Sequence, residues 1–145
     1  MEKVKVIIAD DEINVINRVK NVISQREDVL IVGEARNGIE EIELINKFNP
    51  DIVFTDNQMP ILNGIDVIES FLNKNDRPFF VMISSDSDMV HKSIEYNFVY
   101  FEKLKDFLKL NDIIDYYKDS KNNNYQMENI ENKKKGFRYK FFKRK

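Results

Sequence analysis

No cysteine occurs anywhere in the 145 residues. Disulfides, thiolate metal sites and a cysteine nucleophile are therefore excluded, and a reducing compartment is compatible. Histidine is present once, as His91, on a predicted surface helix, so no histidine-based catalysis is proposed. No GxxxxGK[ST] loop is found, which removes support for a nucleoside triphosphatase. No segment approaches the roughly 20 consecutive apolar residues that span a bilayer, and no signal peptide follows Met1; a soluble, cytoplasmic protein is expected. The length suits one domain with a real core.

Charge is present but unevenly placed. Residues 1–118 hold 14 Lys and Arg against 22 Asp and Glu, a net −8, whereas residues 119–145 hold 9 against 3, a net +6. An acidic body is followed by a basic end.

The pattern that fills the body alternates between short apolar runs and helical periods. Val4 to Ala9 is a strand-like run ending in Asp10-Asp11-Glu12, and Val15, Ile16, Val19, Val22 and Ile23 recur at helical spacing over about Glu12 to Gln25. Val29 to Val32 is a second strand. Asn37 is placed as N-cap with Glu40 at N3, opening a helix expected to bury Ile39, Ile42, Ile45 and Phe48 before Pro50 closes it. Ile52, Val53 and Phe54 form a third buried strand that ends abruptly in Thr55-Asp56-Asn57-Gln58. Asn63-Gly64 is expected to allow a positive-φ turn into a helix carrying Ile65, Ile68, Phe71 and Leu72. Phe79 to Ile83, left through Ser84-Ser85-Asp86, is a fourth strand. A helix over about Ser87 to Tyr96 is expected to point Val90 and Ile94 inward, and Phe98 to Phe101 is a fifth strand. Asp106 caps a last helix with Phe107, Leu108, Ile113, Ile114 and Tyr117. Five strands alternating with five helices predict an α/β, doubly wound parallel sheet in a three-layer sandwich. After Tyr117 the pattern fails, so residues 1–118 are taken as the domain and 119–145 as an Asn/Lys-rich linker and basic aromatic tail.

The strand ends carry the chemistry. A carboxylate at the carboxyl end of a buried strand lies where open α/β sheets place their sites. The first strand offers Asp10 and Asp11, the third Asp56 and the fourth Ser84, with Lys103 just past the fifth. This set in this order, with the run TDNQMPILNGID, resembles the receiver domain of bacterial two-component response regulators over Lys3 to about Tyr117. The resemblance implies a flavodoxin-like five-stranded sheet of order 2-1-3-4-5. It also implies roles: Asp56 as phosphoacceptor, Asp10, Asp11 and Asp56 with the main-chain carbonyl of Gln58 as a Mg2+ site, Ser84 and Lys103 as contacts to the phosphoryl group, and Tyr100 as a switch aromatic. The chemistry suits these residue types. Clustered carboxylates repel unless a cation offsets them, and phosphoryl transfer needs in-line positioning and charge neutralisation.

The function so implied is phosphotransfer signalling, with phosphate arriving from a sensor histidine kinase or phosphotransfer protein and switching a partner-binding surface on the last two strands and helices, where a homodimer is also expected. Apart from slow self-dephosphorylation, such a protein is not an enzyme. A haloacid dehalogenase-type phosphatase would want a second acid two residues after the nucleophile, and Gln58 stands there. Two alternatives remain: a receiver-like interaction module without phosphotransfer, and a nucleic-acid-binding regulator. The first is suggested by Leu104, where the family carries a proline in a cis peptide after its lysine. Without proline a cis bond costs about 3–4 kcal/mol, so a trans Lys103–Leu104 peptide is expected. Tyr96-Asn97 also replaces the family's small pair before strand five. The second rests on the tail NKKKGFRYKFFKRK, whose cations and interleaved Phe137, Tyr139, Phe141 and Phe142 suit an anionic partner, nucleic acid or a membrane surface.

Overall fold

The computed structural model of the chain describes residues 2–122 in full and, as backbone only, the strands Tyr125–Asn132 and Phe137–Lys143. In chain order the elements are β1 (Val4–Ala9), α1 (Ile13–Ile23), β2 (Val29–Ala35), α2 (Gly38–Phe48), β3 (Ile52–Thr55), α3 (Gly64–Ser70), β4 (Phe79–Ser84), α4 (Met89–Tyr96), β5 (Val99–Glu102), α5 (Leu110–Asn122), β6 (Tyr125–Asn132) and β7 (Phe137–Lys143). A short 3-10 turn, Phe107–Lys109, precedes α5, and Asp106 caps it as expected, accepting from the Leu108 N–H at 3.0 Å. The first five strands are parallel in the order β2-β1-β3-β4-β5. Beyond β5, β7 and β6 continue the sheet in antiparallel fashion. The segment following the receiver-like pattern thus starts inside α5, which runs to Asn122, and goes on as a strand pair. The side chains of the tail, Lys133 to Lys145 included, lie outside the described residues.

Side chains alternate across the sheet with period two, and this sets the three layers. Val6 and Ile8 of β1 face one layer with Ile16, Val19 and Ile23 of α1 and Leu110, Ile113 and Ile114 of α5. Ile7 faces the other, with Val53, Phe80 and Met82 against Ile45 of α2 and Val67 and Ile68 of α3. Each such side chain, taken from water, contributes about 1.5–3 kcal/mol. The central strands are therefore apolar on both faces, and their polar ends are forced to the sheet edge where they emerge.

Three local expectations need correction. Ile39 (41% exposed) and Ile94 (60%) face outward. On α2 the stripe that turns inward is Gly38, Glu41 and Ile45, and on α4 it is Ser93 that is buried. Gly64 has no positive φ; the left-handed residue of that loop is Ile61 (φ 71), a β-branched side chain in a region such residues rarely occupy. Gly64 serves close approach instead, since a Cβ there would overlap the main-chain oxygen of Asp56. As predicted, α2 ends at the Asn49-Pro50 pair, with Asn49 in the left-handed C-cap conformation. No helix among the described residues is long and apolar enough to cross a membrane.

Candidate functional site

The site lies where β1 and β3 end side by side. The β1–β3 ladder stops at the Ala9–Thr55 pair, so Asp10 and Asp56 each follow as the first residue beyond it. Both are nearly closed off, at 2% and 5% exposure. Asp11 follows on the open side, and carboxylate oxygens of Asp10, Asp11 and Asp56 all lie within 4.8 Å of one another. Lys103, reached one residue past β5, brings its Nζ to 3.1 Å from Asp56 Oδ2 and 3.5 Å from Asp10 Oδ2. The other Asp56 oxygen accepts from the Asn57 N–H at 2.7 Å, and Asp10 Oδ1 accepts from the Glu12 N–H at 2.9 Å.

Three acids against one ammonium leave the cluster short of positive charge. Burial raises the Asp10 carboxyl from its ordinary 3.8 to about 6; the Glu12 N–H works against this and the Asp56 charge adds to it. Burial likewise raises Asp56, opposed by Lys103 and by the Asn57 N–H. For Lys103, burial disfavours the ammonium, but Asp56 and Asp10 outweigh it and the pKa is raised. A set of carboxylate oxygens with this charge deficit suits a hard divalent cation such as Mg2+, which binds through one or two carboxylates and keeps several waters. Gln58, two residues past Asp56, is exposed.

Ser84 and, through its carbonyl, Tyr100 are tied to the backbone of Lys103. Ser84 Oγ accepts from the Asp86 N–H at 3.0 Å, and the Ser84 carbonyl takes the Tyr100 hydroxyl at 3.0 Å and the Lys103 N–H at 3.1 Å. Tyr100 is 7% exposed, so its ring lies inward. The Lys103–Leu104 peptide is trans, and Leu104 is 87% exposed. His91 lies on the exposed side of α4.

The sequence assigned no role to three residues that shape the site. Asn57 joins β3 to its surroundings: its amide donates to Asp86 Oδ2 at 3.3 Å and its Oδ1 accepts from the Ile65 N–H at 3.1 Å. The Arg36 guanidinium holds the main-chain carbonyl of Asp11 with two donors. Glu41, fully buried, places its Oε1 3.0 Å from the Thr55 hydroxyl oxygen. Asn57 lay in the polar run after β3, whereas Glu41, an acid beside the expected stripe of Ile39, Ile42 and Ile45, gave no sign of burial. Nothing in the sequence pointed to Arg36.

The family profile of the response regulator receiver domain matches residues 6–115. A protein-glutamate methylesterase/protein-glutamine glutaminase of Pseudoalteromonas atlantica is 38% identical over 81 residues, 56% of this chain and 21% of that protein. The transcriptional regulatory protein BtsR of Escherichia coli is 32% identical over 92 residues, 63% of this chain and 38% of that protein. The chain thus spans only about a fifth to two fifths of these curated relatives. Among solved structures, the signal receiver domain of the putative response regulator NarL from Mycobacterium tuberculosis superposes with a TM-score of 0.71 at 25% identity, covering 81% of this chain and 98% of that one.

Proposed function

This chain belongs to the response regulator receiver domain family, and we propose that it is a phosphoacceptor module of two-component signalling, phosphorylated on Asp56. The observation that carries the reading is the meeting of Asp10, Asp11 and Asp56 within 4.8 Å, with the Lys103 ammonium 3.1 Å from Asp56. Asp56 supplies the nucleophile: a bond forms between its carboxylate oxygen and phosphorus while the bond from phosphorus to the donor breaks and the leaving group keeps the electron pair. With a phosphohistidine donor on a sensor kinase or phosphotransfer protein, the leaving group is the imidazole.

The residues around Asp56 each have a place in that step. Lys103 pairs with the attacking carboxylate before transfer and with phosphoryl oxygens after it. The Ser84 hydroxyl uses its lone pair on the Asp86 N–H and keeps its proton for a phosphoryl oxygen. Asp10, Asp11, Asp56 and the Gln58 carbonyl would hold Mg2+, which when bound neutralises charge on the phosphoryl group. Tyr100, tied to the carbonyl of the same Ser84, would transmit a shift of that residue to the β5 edge. Gln58 has no acidic proton to give a leaving group, which disfavours the phosphatase alternative.

The test is incubation with radiolabelled acetyl phosphate, with and without Mg2+. Label that requires Mg2+ and is released by hydroxylamine, as an acyl phosphate is, supports the reading. A protein that takes no label would be a receiver-like interaction module instead.

A further inference from the structure

Glu41 is the most enclosed acid in the described part of the molecule, at 0% exposure, and the chemistry above makes no use of it. It stands in the first turn of α2 and points at the end of β3. Its Oε1 lies 3.0 Å from Thr55 Oγ1, which in turn lies 3.1 Å from the main-chain oxygen of Asp56. Its Oε2 has no partner among the described residues.

Counting protons decides the state of this chain of atoms. A threonine hydroxyl carries one proton and here has two oxygens within hydrogen-bond distance. If Glu41 were ionised, both neighbours would be pure acceptors and one of the two contacts would have no proton in it. The negative charge would also be sealed in with no cation paired to it among the described residues, an arrangement that burial strongly disfavours. A neutral Glu41 removes both difficulties, because its own O–H supplies the second proton. The order is then Glu41 O–H to Thr55 Oγ1, and Thr55 O–H to the Asp56 carbonyl. Burial pushes the Glu41 carboxyl up to about 8, even against the bond that Thr55 would donate to its ionised form. On the elements packed around it stand Glu40 on its own helix, Asp56 after β3 and Asp66 on α3, and it is burial that raises the Glu41 carboxyl.

The Asp56 carbonyl is a meaningful end point for such a chain. The strand ladder stops at Thr55, so this carbonyl lies just outside it. On its other side Gly64 presses close, and the Asp56 N–H is held by the Ala9 carbonyl at 3.0 Å. The two peptide groups that flank the Asp56 Cα, and so set the direction of its side chain, are thereby each held.

We propose that Glu41 is a positioning residue, kept as a neutral carboxylic acid, that acts through Thr55 to fix the main-chain carbonyl of Asp56. The consequence for phosphorylation rests on the phosphoacceptor reading; the proton chain itself does not. The direct test is NMR on metal-free protein carrying 13C-labelled glutamate and backbone labels. A neutral-acid side-chain carbonyl resonance should be present at pH 7 and missing from Glu41→Gln. The Asp56 main-chain carbonyl should shift with the same midpoint as Glu41, and this component should vanish in Thr55→Val. Shifts that follow Asp10 or Asp56 itself are identified by their persistence in Thr55→Val. Glutamates that are all ionised at pH 7, or an Asp56 carbonyl indifferent to Glu41, would overturn the proposal. In acetyl phosphate labelling, Glu41→Gln, which keeps an uncharged donor, should remain near wild type. Glu41→Ala and Thr55→Val should slow by roughly tenfold or more, the scale on which misplacing a reacting group is felt. Equal slowing of Glu41→Gln and Glu41→Ala would count against it. A wild type that takes no label would sink the phosphoacceptor reading and leave the NMR result to decide this one.

Discussion

Two kinds of acid meet at the end of β3, and they were not equally visible in the sequence. Asp10, Asp11 and Asp56 were legible because charged residues directly after apolar strands must surface at the sheet edge, and Lys103 because it follows the fifth such strand. Glu41 was not, since the apolar spacing of Ile39, Ile42 and Ile45 placed the helix face slightly wrong and an acid is assumed to be solvated. Its raised carboxyl makes a stability prediction. Glu41 moves from an ordinary 4.5 to about 8 in the fold, so its contribution is fully present below about 4.5 and is lost as pH rises through 8. Relative to Glu41→Gln, the wild type should lose up to about 1.4 kcal/mol per pH unit across that window and then level off. Urea unfolding of both proteins from pH 5 to 9 measures this, and a constant difference would refute it. Asp11 acts oppositely: it is among the charges that raise Asp10. Asp11→Ala should stabilise the metal-free protein by about 0.2–1 kcal/mol, the scale of a partly exposed charge pair, while weakening Mg2+ binding in a calorimetric titration. Unchanged Mg2+ affinity would place the ion elsewhere.

At the scale of elements, strand existence followed from short continuous apolar runs and their polar ends, while the strand order came only from the resemblance to the receiver family. The edges of elements did not, because they depend on contacts that chain spacing cannot reveal. Gly64 shows this: the Asn63-Gly64 pair suggested a turn needing positive φ, whereas the loop puts that burden on Ile61 and uses Gly64 to let α3 start against the Asp56 carbonyl. The capping there was equally local, with Asp66 accepting from the Asn63 N–H at 3.2 Å. Gly64→Ala should therefore destabilise by about 1–3 kcal/mol through overpacking, even though alanine is the better helix former. Gly33→Ala offers the control, because a Cβ at Gly33 would meet the flexible side-chain end of Leu44 at 3.0 Å instead of backbone. Thermal unfolding should rank Gly64→Ala well below Gly33→Ala; the reverse order would mean that the approach to Asp56 is not tight.

Over the whole molecule, the three-layer architecture was readable because both faces of the sheet must be covered, which leaves the central strands uniformly apolar. The strand pair after α5 was missed: Phe137, Tyr139 and Phe141 do alternate with Arg138 and Lys140, but the basic charge led the segment to be read as a tail, whereas β7 and β6 extend the sheet beyond β5. The basic composition of residues 123–145 still supports an anionic partner. Binding to a mixed-sequence oligonucleotide or to anionic vesicles should fall steeply with salt and be lost on truncation after Asn122, where α5 ends. Binding retained by the truncated protein would assign it to the body. The claim on which the rest depends is phosphorylation of Asp56. Intact mass after incubation with acetyl phosphate and Mg2+ tests it most directly, comparing the wild type with Asp56→Asn. The wild type should gain one phosphoryl group, only when Mg2+ is present, and the variant none. Equal gain by both proteins, or no gain by the wild type, would contradict the account.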